Sequence, residues 1–108
     1  MTDKASDTPV LDLLASMTAD SLEASSLDPQ TLALVRIGAL VAVGAPPASY
    51  LLNLGAAADL DVDAEQIRGV LAAVAPIVGT TRVVAATGSI ARALGAAVEL
   101  ADLSEETD

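Results

Sequence analysis

Apolar side chains recur at intervals of three and four residues along most of this chain, which is the spacing of one face of an α-helix. The pattern predicts a first, amphipathic helix over residues 9–24, with an apolar stripe that begins at Val10 and an acidic side that carries Asp12 and Asp20. A helix of this kind buries its stripe against a larger body. No segment alternates apolar and polar residues as a half-buried strand does, so we expect an all-α domain of about five helices.

Local signals mark the second and third helices. Asp28 can cap free amide groups and Pro29 suits the first helical turn, so a second helix is predicted from there to Gly44. Glycine ends helices readily because it adopts the left-handed conformation. Apolar residues surround the axis of this helix, which predicts burial on most sides. Pro46 is predicted to open a third helix that reaches about residue 58.

The fourth and fifth helices follow an acidic turn. Asp63 has Gln66 three residues later, a capping-box pair that predicts the start of the fourth helix. Pro76 and Gly79 predict its end. A fifth helix is expected over about 80–103.

Length and composition fit one domain. The chain has 108 residues, so we expect a lead-in at 1–8, a helical domain at 9–103 and an acidic tail at 104–108. Hydrophobic residues make up 53% of the sequence, more than the usual share in a soluble domain. This surplus predicts apolar surface that a partner subunit covers.

Charge and cysteine content exclude several classes of partner. The formal net charge is −10, which repels phosphate backbones and anionic lipid surfaces, so a nucleic-acid partner is not expected. No cysteine is present, which excludes disulfides and fits a reducing compartment. The acidic start lacks the basic and then apolar order of a secretory signal. We therefore expect a cytoplasmic protein.

One uncharged run needs a separate interpretation. Residues 37–58 carry no charge, and about 20 apolar residues are enough to span a membrane. Pro46 and Pro47 interrupt this run near its middle, and no basic or aromatic anchors flank it. Two helices joined at the prolines, and not a membrane span, are therefore predicted.

Several segments in order resemble a known family. They are Leu-Asp-Pro-Gln-Thr at 27–31, an apolar helix ending in Gly44, the acidic turn leading to Asp-Ala-Glu-Gln-Ile-Arg at 63–68, and Ala-Pro-Ile-Val-Gly at 75–79 followed by Arg82. Together they resemble the carboxymuconolactone decarboxylase family, which includes alkylhydroperoxidase-D-like thiol peroxidases. The resemblance implies an all-helical subunit that assembles into a ring-like trimer or hexamer.

The residues that carry the chemistry of the peroxidase branch are replaced here. The resemblance places its glutamate, its two cysteines and its histidine at positions that hold Ala33, Ala45, Ala48 and Leu52. A thiol peroxidase needs a thiolate to attack the peroxide and a second thiol to resolve the sulfenic acid. Alanine and leucine do neither, so we do not expect thiol peroxidase activity.

The decarboxylase branch also fits poorly. The resemblance implies an arginine near position 45 and a histidine near position 52, and the chain departs at both. Leu52 offers no group that titrates near neutral pH, so general acid–base chemistry lacks its usual donor. We therefore lean towards a protein that is not an enzyme and expect no cofactor.

Three polar residues remain as candidate ligand-binding residues: Arg36, Tyr50 and Asn53. Arg36 lies in the most apolar helix, where it either anchors an anion or forms an internal or intersubunit ion pair. Tyr50 and Asn53 either face the same cavity, or Tyr50 packs with its hydroxyl at the surface. The acidic residues of 59–65 lack the glycine and the closing glutamate of a calcium loop, so no metal site is predicted.

Two functions from different classes are consistent with these observations. The first is a catalytically silent oligomeric scaffold or partner-binding subunit. The second is a binder of a small carboxylate or apolar ligand, or a cysteine-independent lyase, that uses the family cavity.

Overall fold

A computed structural model of the chain describes the backbone of residues 7–106 and the side chains of residues 7–95. This part of the chain folds into α-helices and contains no strand, which confirms the predicted all-α class. The helices are α1 (Pro9–Ala24), α2 (Pro29–Val43), α3 (Pro47–Asp59), α4 (Ala64–Val78) and α5 (Thr80–Glu106).

Both ends of α2 are set by local interactions, as the sequence predicts. The Asp28 carboxylate accepts a hydrogen bond of 2.8 Å from the amide of Thr31. At the other end Gly44 adopts the left-handed conformation, with φ 68° and ψ 45°. Nη1 of Arg82 donates to the carbonyl oxygen of Ala42 at 3.0 Å. A cation near the last carbonyls of a helix opposes the negative end of its dipole.

The start of α3 differs from the prediction by one residue. Pro46 lies outside the helix, in an extended conformation with φ −76° and ψ 165°. A residue that precedes proline is pushed out of the helical region by the proline ring, and Pro47 follows Pro46 directly. The helix therefore begins at Pro47.

The capping box of α4 is present. The Asp63 side chain accepts from the amide of Gln66 at 2.8 Å, and the Gln66 side chain accepts from the amide of Asp63 at 2.9 Å. Pro76 lies inside the last turn, and the helix continues to Val78. The helix ends at Gly79, whose φ is 99° and which alone separates α4 from α5.

α5 is longer than expected. It continues to Glu106, so residues 104–106 of the predicted acidic tail are helical. Glutamate is a good helix former, which favours this extension. Residues 107–108 and residues 1–6 of the predicted lead-in lie outside the described residues.

The buried core forms two clusters that follow one another along α2. One contains Ala33, Ile37, Ala57 and Val62. The other contains Val41, Tyr50, Ala86 and Ala93. Between α2 and α4 the helices approach closely, because a Cβ at Gly38 would lie 3.4 Å from Val74. Small residues therefore replace aromatic packing in most of this core.

Burial of α2 extends around most of its circumference, as predicted, because α3, α4 and α5 all pack against it, but two of its large apolar residues stay exposed. Val35 is 55% exposed and Val43 is 71% exposed. These residues lie on the side of α2 that no other helix of the subunit covers. Apolar residues around a helix axis predict that the helix is buried. They do not distinguish burial within one subunit from burial between subunits.

α1 stands apart from the other helices. None of its Cα atoms lies within 8 Å of a Cα atom in another helix, and none of its residues is buried. Nη2 of Arg36 on α2 donates to Oγ of Ser21 at 3.0 Å. The apolar side chains of α1 that remain largely exposed are Val10, Leu11, Leu13, Leu14, Met17 and Leu22. The predicted stripe exists, but the subunit does not bury it.

The uncharged run at 37–58 is divided between α2 and α3, as predicted. None of the helices in the described part of the chain has the length and apolar character required to cross a membrane.

Candidate functional site

A cleft lies between α1 and the α2–α3 pair, and we call it the Arg36 cleft. It consists of two adjoining cavities of about 490 and 350 Å³ that share Thr18, Arg36, Asn53 and Ala56. The larger cavity is otherwise lined mainly by apolar residues of α1 and α3, among them Leu14 and Leu52. A single cationic side chain in an apolar cleft suits an amphipathic anion.

Arg36 is the only charged residue that lines this cleft. Its guanidinium donates to Ser21, and no carboxylate of the described residues lies within ion-pairing distance of it. An internal ion pair, one of the predicted alternatives, is therefore not formed in this part of the chain. The nearby face of α1 supplies a neutral serine because Asp12 and Asp20 occur at other positions around that helix. An intersubunit ion pair stays a prediction.

Asn53 is held beside Arg36 by its own helix. Its Nδ2 donates to the carbonyl oxygen of Ser49 at 2.9 Å, one turn earlier in α3. Asn53 and Arg36 line both cavities, so the structure brings these two predicted residues together. The amide oxygen and the guanidinium offer an acceptor and a set of donors in the same cleft.

Tyr50 is not part of the Arg36 cleft. It is fully buried in the second core cluster with Val41, Ala86 and Ala93. Its hydroxyl is also buried and has no hydrogen-bond partner among the described residues, so the interpretation that this hydroxyl lies at the surface is wrong. Burial raises the pKa of Tyr50 above its usual value of 10.0. Tyr50 is the only aromatic residue of the sequence. A large aromatic ring gains most from burial, and here the ring lies in the core and not in the cleft.

Of the four positions where the resemblance places catalytic residues, two line the cleft and two do not. Leu52 lines the larger cavity and is 76% exposed, and Ala33 lines the smaller one. Ala45 packs against the second core cluster, and Ala48 is exposed. All four side chains are hydrocarbon, so these positions present neither a nucleophile nor a group that exchanges protons near neutral pH.

A second apolar depression was not singled out from the sequence. It lies between α3, α4 and α5, and we call it the trough. One cavity of about 330 Å³ and another of about 170 Å³ share Leu54, Ala58 and Leu94. Polar groups at the larger cavity are Asp63, Arg68 and Thr87, and the Thr87 hydroxyl donates to the carbonyl oxygen of Val83. The apolar stripes of α4 and α5 are the only sequence feature that points to this depression. A stripe does not reveal which of its residues other helices leave uncovered.

The acidic turn and the rest of the described chain hold no cluster of three or more carboxylate, histidine or cysteine side chains that suits a metal ion. Asp63 is engaged in the cap of α4.

Comparison with known proteins gives one result. No curated protein and no solved structure shows significant similarity to the chain. The sequence profile of the carboxymuconolactone decarboxylase family matches residues 9–101, which span all of α1 to α4 and most of α5. This match covers most of the chain and agrees with the five-helix fold. The chain therefore belongs to the carboxymuconolactone decarboxylase family.

Proposed function

We propose that this chain is a family member without thiol peroxidase or decarboxylase activity, a pseudoenzyme that acts as an oligomeric scaffold or partner-binding subunit in the cytoplasm. The observation that carries the proposal is the combination of hydrocarbon side chains at Ala33 and Leu52 in the cleft with the uncovered apolar face of α1.

The chemical part of the proposal follows from the side chains present. A thiol peroxidase reaction requires a thiolate, and the sequence contains no cysteine. A decarboxylase needs a group that delivers a proton near neutral pH, and the only ionisable side chain of the cleft is Arg36. A guanidinium stays protonated in proteins, so it binds anions but does not act as a general acid.

The structural part of the proposal follows from exposed apolar surface. Leu11 is 64% exposed and Val10 is 67% exposed on α1, and Val43 is 71% exposed on α2. Exposed apolar side chains in such number are typical of surfaces that associate with other proteins. A trimer or a hexamer of this chain covers such surface, and the lack of cysteine supports a reducing compartment.

The activity test uses the purified full chain. With an organic hydroperoxide and a dithiol reductant, or with a muconolactone carboxylate, we expect no turnover above the buffer rate. Turnover well above that rate, abolished by Arg36→Ala and retained in Arg92→Ala, would overturn the proposal. Arg92 is the matched control because it is exposed and lines neither the Arg36 cleft nor the trough.

The assembly test is sedimentation velocity over a range of concentrations. We expect a species larger than the monomer at micromolar concentration. A monomer at all concentrations, together with no interaction partner, would contradict the scaffold role.

A second candidate function is the binding of a small apolar carboxylate in the Arg36 cleft. The observation that favours it is a guanidinium that contacts only a neutral hydroxyl among the described residues, next to Asn53 and surrounded by apolar side chains. A carboxylate can replace Ser21 on Arg36 and form a stronger, charge-assisted hydrogen bond.

Thermal denaturation with octanoate and with octanol as the uncharged control tests this candidate. Octanoate should raise the melting temperature of the wild type but not of Arg36→Gln, since a ligand that binds only the folded state stabilises it. Arg68→Gln, a matched change in the trough, should behave like the wild type. An equal effect of octanol, or an undiminished effect of octanoate on Arg36→Gln, would reject the candidate.

A further inference from the structure

The trough is a continuous apolar surface formed by three helices. Its two cavities are joined through Leu54, Ala58 and Leu94, and Gly55 lies at the smaller cavity with open space where a side chain would project. Small residues on this surface allow the backbone of another helix to approach closely. The trough therefore has the form of a groove that accepts a helix.

The α1 helix of the same subunit does not occupy the trough. α1 lies beside the Arg36 cleft, whose lining includes Leu52 and Asn53 of α3. The trough uses Leu51 and Leu54 of the same helix, and the two depressions share no residue.

On α1, Leu14 and Met17 line the Arg36 cleft, whereas Val10, Leu11 and Leu13 line neither depression and stay largely exposed. The trough and this part of α1 are thus two apolar surfaces that a single subunit leaves uncovered.

Charge at the rim of the trough indicates what covers it. Arg68 lines the trough and forms no ion pair with any described residue. α1 carries three acidic side chains, Asp12, Asp20 and Glu23, and no basic one. The one acid at the trough, Asp63, is engaged by the amide of Gln66. An acidic, apolar helix therefore complements this rim.

The exposed apolar surface of α1 is also broad enough for a groove between helices. α1 has 16 residues, which corresponds to a length of about 24 Å. Its exposed apolar residues cover about half of the helix circumference, because Leu11 and Leu13 lie at opposite edges of the stripe and Val10 lies between them. Asp20 follows Met17 by three positions and so flanks one edge of the stripe.

We propose that α1 of a second copy of this chain docks into the trough, with its acidic flank towards Arg68. The inference rests on the oligomeric part of the proposed function and specifies the surfaces used. α1 and the trough are different surfaces, so the contact is either exchanged reciprocally within a pair or passed from subunit to subunit around a ring.

Engineered cysteines test the contact, because the sequence contains no other thiol. Leu13→Cys on α1, a largely exposed position that lines neither depression, is mixed with Ala58→Cys in the trough and oxidised mildly. We expect a mixed disulfide between the two variants. Ala73→Cys is the matched control, since Ala73 is an exposed alanine on α4 that does not line the trough. Equal cross-linking of Leu13→Cys to Ala58→Cys and to Ala73→Cys would overturn the proposal.

Charge reversal provides a second measurement. Arg68→Glu should raise the dissociation constant of the oligomer by about tenfold, because like charges then face each other across the contact. Asp20→Lys combined with Arg68→Glu should recover part of this loss. Arg92→Glu, with the same change in net charge outside the trough, should have a much smaller effect. Helicity measured by circular dichroism confirms that each variant is folded, and Arg68→Gln replaces Arg68→Glu if that variant unfolds.

The results separate the two proposals. A wild-type chain that is monomeric at every concentration contradicts the oligomeric part of the proposed function and this inference with it. A stable oligomer with no disulfide between Leu13→Cys and Ala58→Cys, and with Arg68→Glu equal to Arg92→Glu, contradicts this inference alone.

Discussion

The guanidinium of Arg82 occupies the space that a side chain at position 44 would need. A Cβ built on Gly44 would lie 2.9 Å from Nη1 of Arg82, the same nitrogen that donates to the carbonyl oxygen of Ala42. Gly44 also has a φ of 68°, in the left-handed region. The end of α2 and the first turn of α5 therefore pack closely together at Gly44, where the absence of a side chain leaves room for the Arg82 guanidinium.

We expect Gly44→Ala to lower the free energy of unfolding by about 1–2 kcal/mol, since a non-glycine residue is strained in the left-handed conformation. Displacement of Arg82 adds to this cost. Gly69→Ala is the control, because Gly69 lies inside α4 with open space around it. Removing a glycine from a helix interior should stabilise by about 0.5–1 kcal/mol. Urea denaturation of both variants measures the difference, and a neutral Gly44→Ala would contradict the prediction.

Asp63→Ala should lower the free energy of unfolding by about 1 kcal/mol, because it removes the side chain that caps α4. Asp59→Ala removes a carboxylate from the same acidic region without affecting that cap. Its effect should stay within about 0.5 kcal/mol. Thermal or chemical denaturation of the pair checks the prediction, which fails if the two variants lose equal stability.

Tyr50→Phe should raise the free energy of unfolding by about 1 kcal/mol, because it removes a buried hydroxyl that has no partner among the described residues. Tyr50→Ala should instead cost about 3–5 kcal/mol through the cavity that it leaves in the second core cluster. Denaturation midpoints of both variants provide the measurement. A clear loss of stability in Tyr50→Phe would mean that the hydroxyl has a partner in the assembled protein.

Acidification should reduce stability in part through Asp28. Hydrogen bonds from the Thr31 side chain and then from its amide lower the pKa of Asp28 below the usual 3.8. A carboxyl whose pKa is lower in the folded chain stabilises above the unfolded pKa and loses this contribution as the pH falls through the folded pKa. The loss therefore begins near pH 3.8 and continues below it.

Titration of the carboxyl carbon by NMR measures the pKa of Asp28 directly. Thr31→Val removes the hydroxyl and keeps the amide, so the pKa should return part of the way towards 3.8. Asp28→Asn should show a smaller loss of stability than the wild type between pH 4 and the folded pKa. An Asp28 pKa at or above the usual value would refute the prediction.

Helix ends were predictable from the sequence because their causes are local. Asp28, Gly44 and Asp63 act on residues within a few positions, and the structure has all three in the predicted roles. The start of α3 was missed by one residue, although the rule that displaces Pro46 is equally local. Short-range chemistry thus accounts for most of the element boundaries.

The candidate site was less predictable because its contacts are distant in sequence. Arg36 meets Ser21 across fifteen positions, and neither residue carries a motif that indicates the other. Tyr50 and Asn53 are three positions apart on α3, yet one is buried and the other lines the cleft. The trough depends on the angles between three helices, which the apolar stripes of the separate helices do not specify.

Gly79 is the sole residue between α4 and α5, and these helices form two of the three walls of the trough. Its torsion angles, φ 99° and ψ 155°, set the direction in which the whole of α5 leaves α4. A small rotation at this one hinge is magnified along a helix of 27 residues. Besides the packing of α5 on α3, the width of the trough, and with it the size of the side chains it admits, therefore depends on two bonds in the backbone of a single glycine.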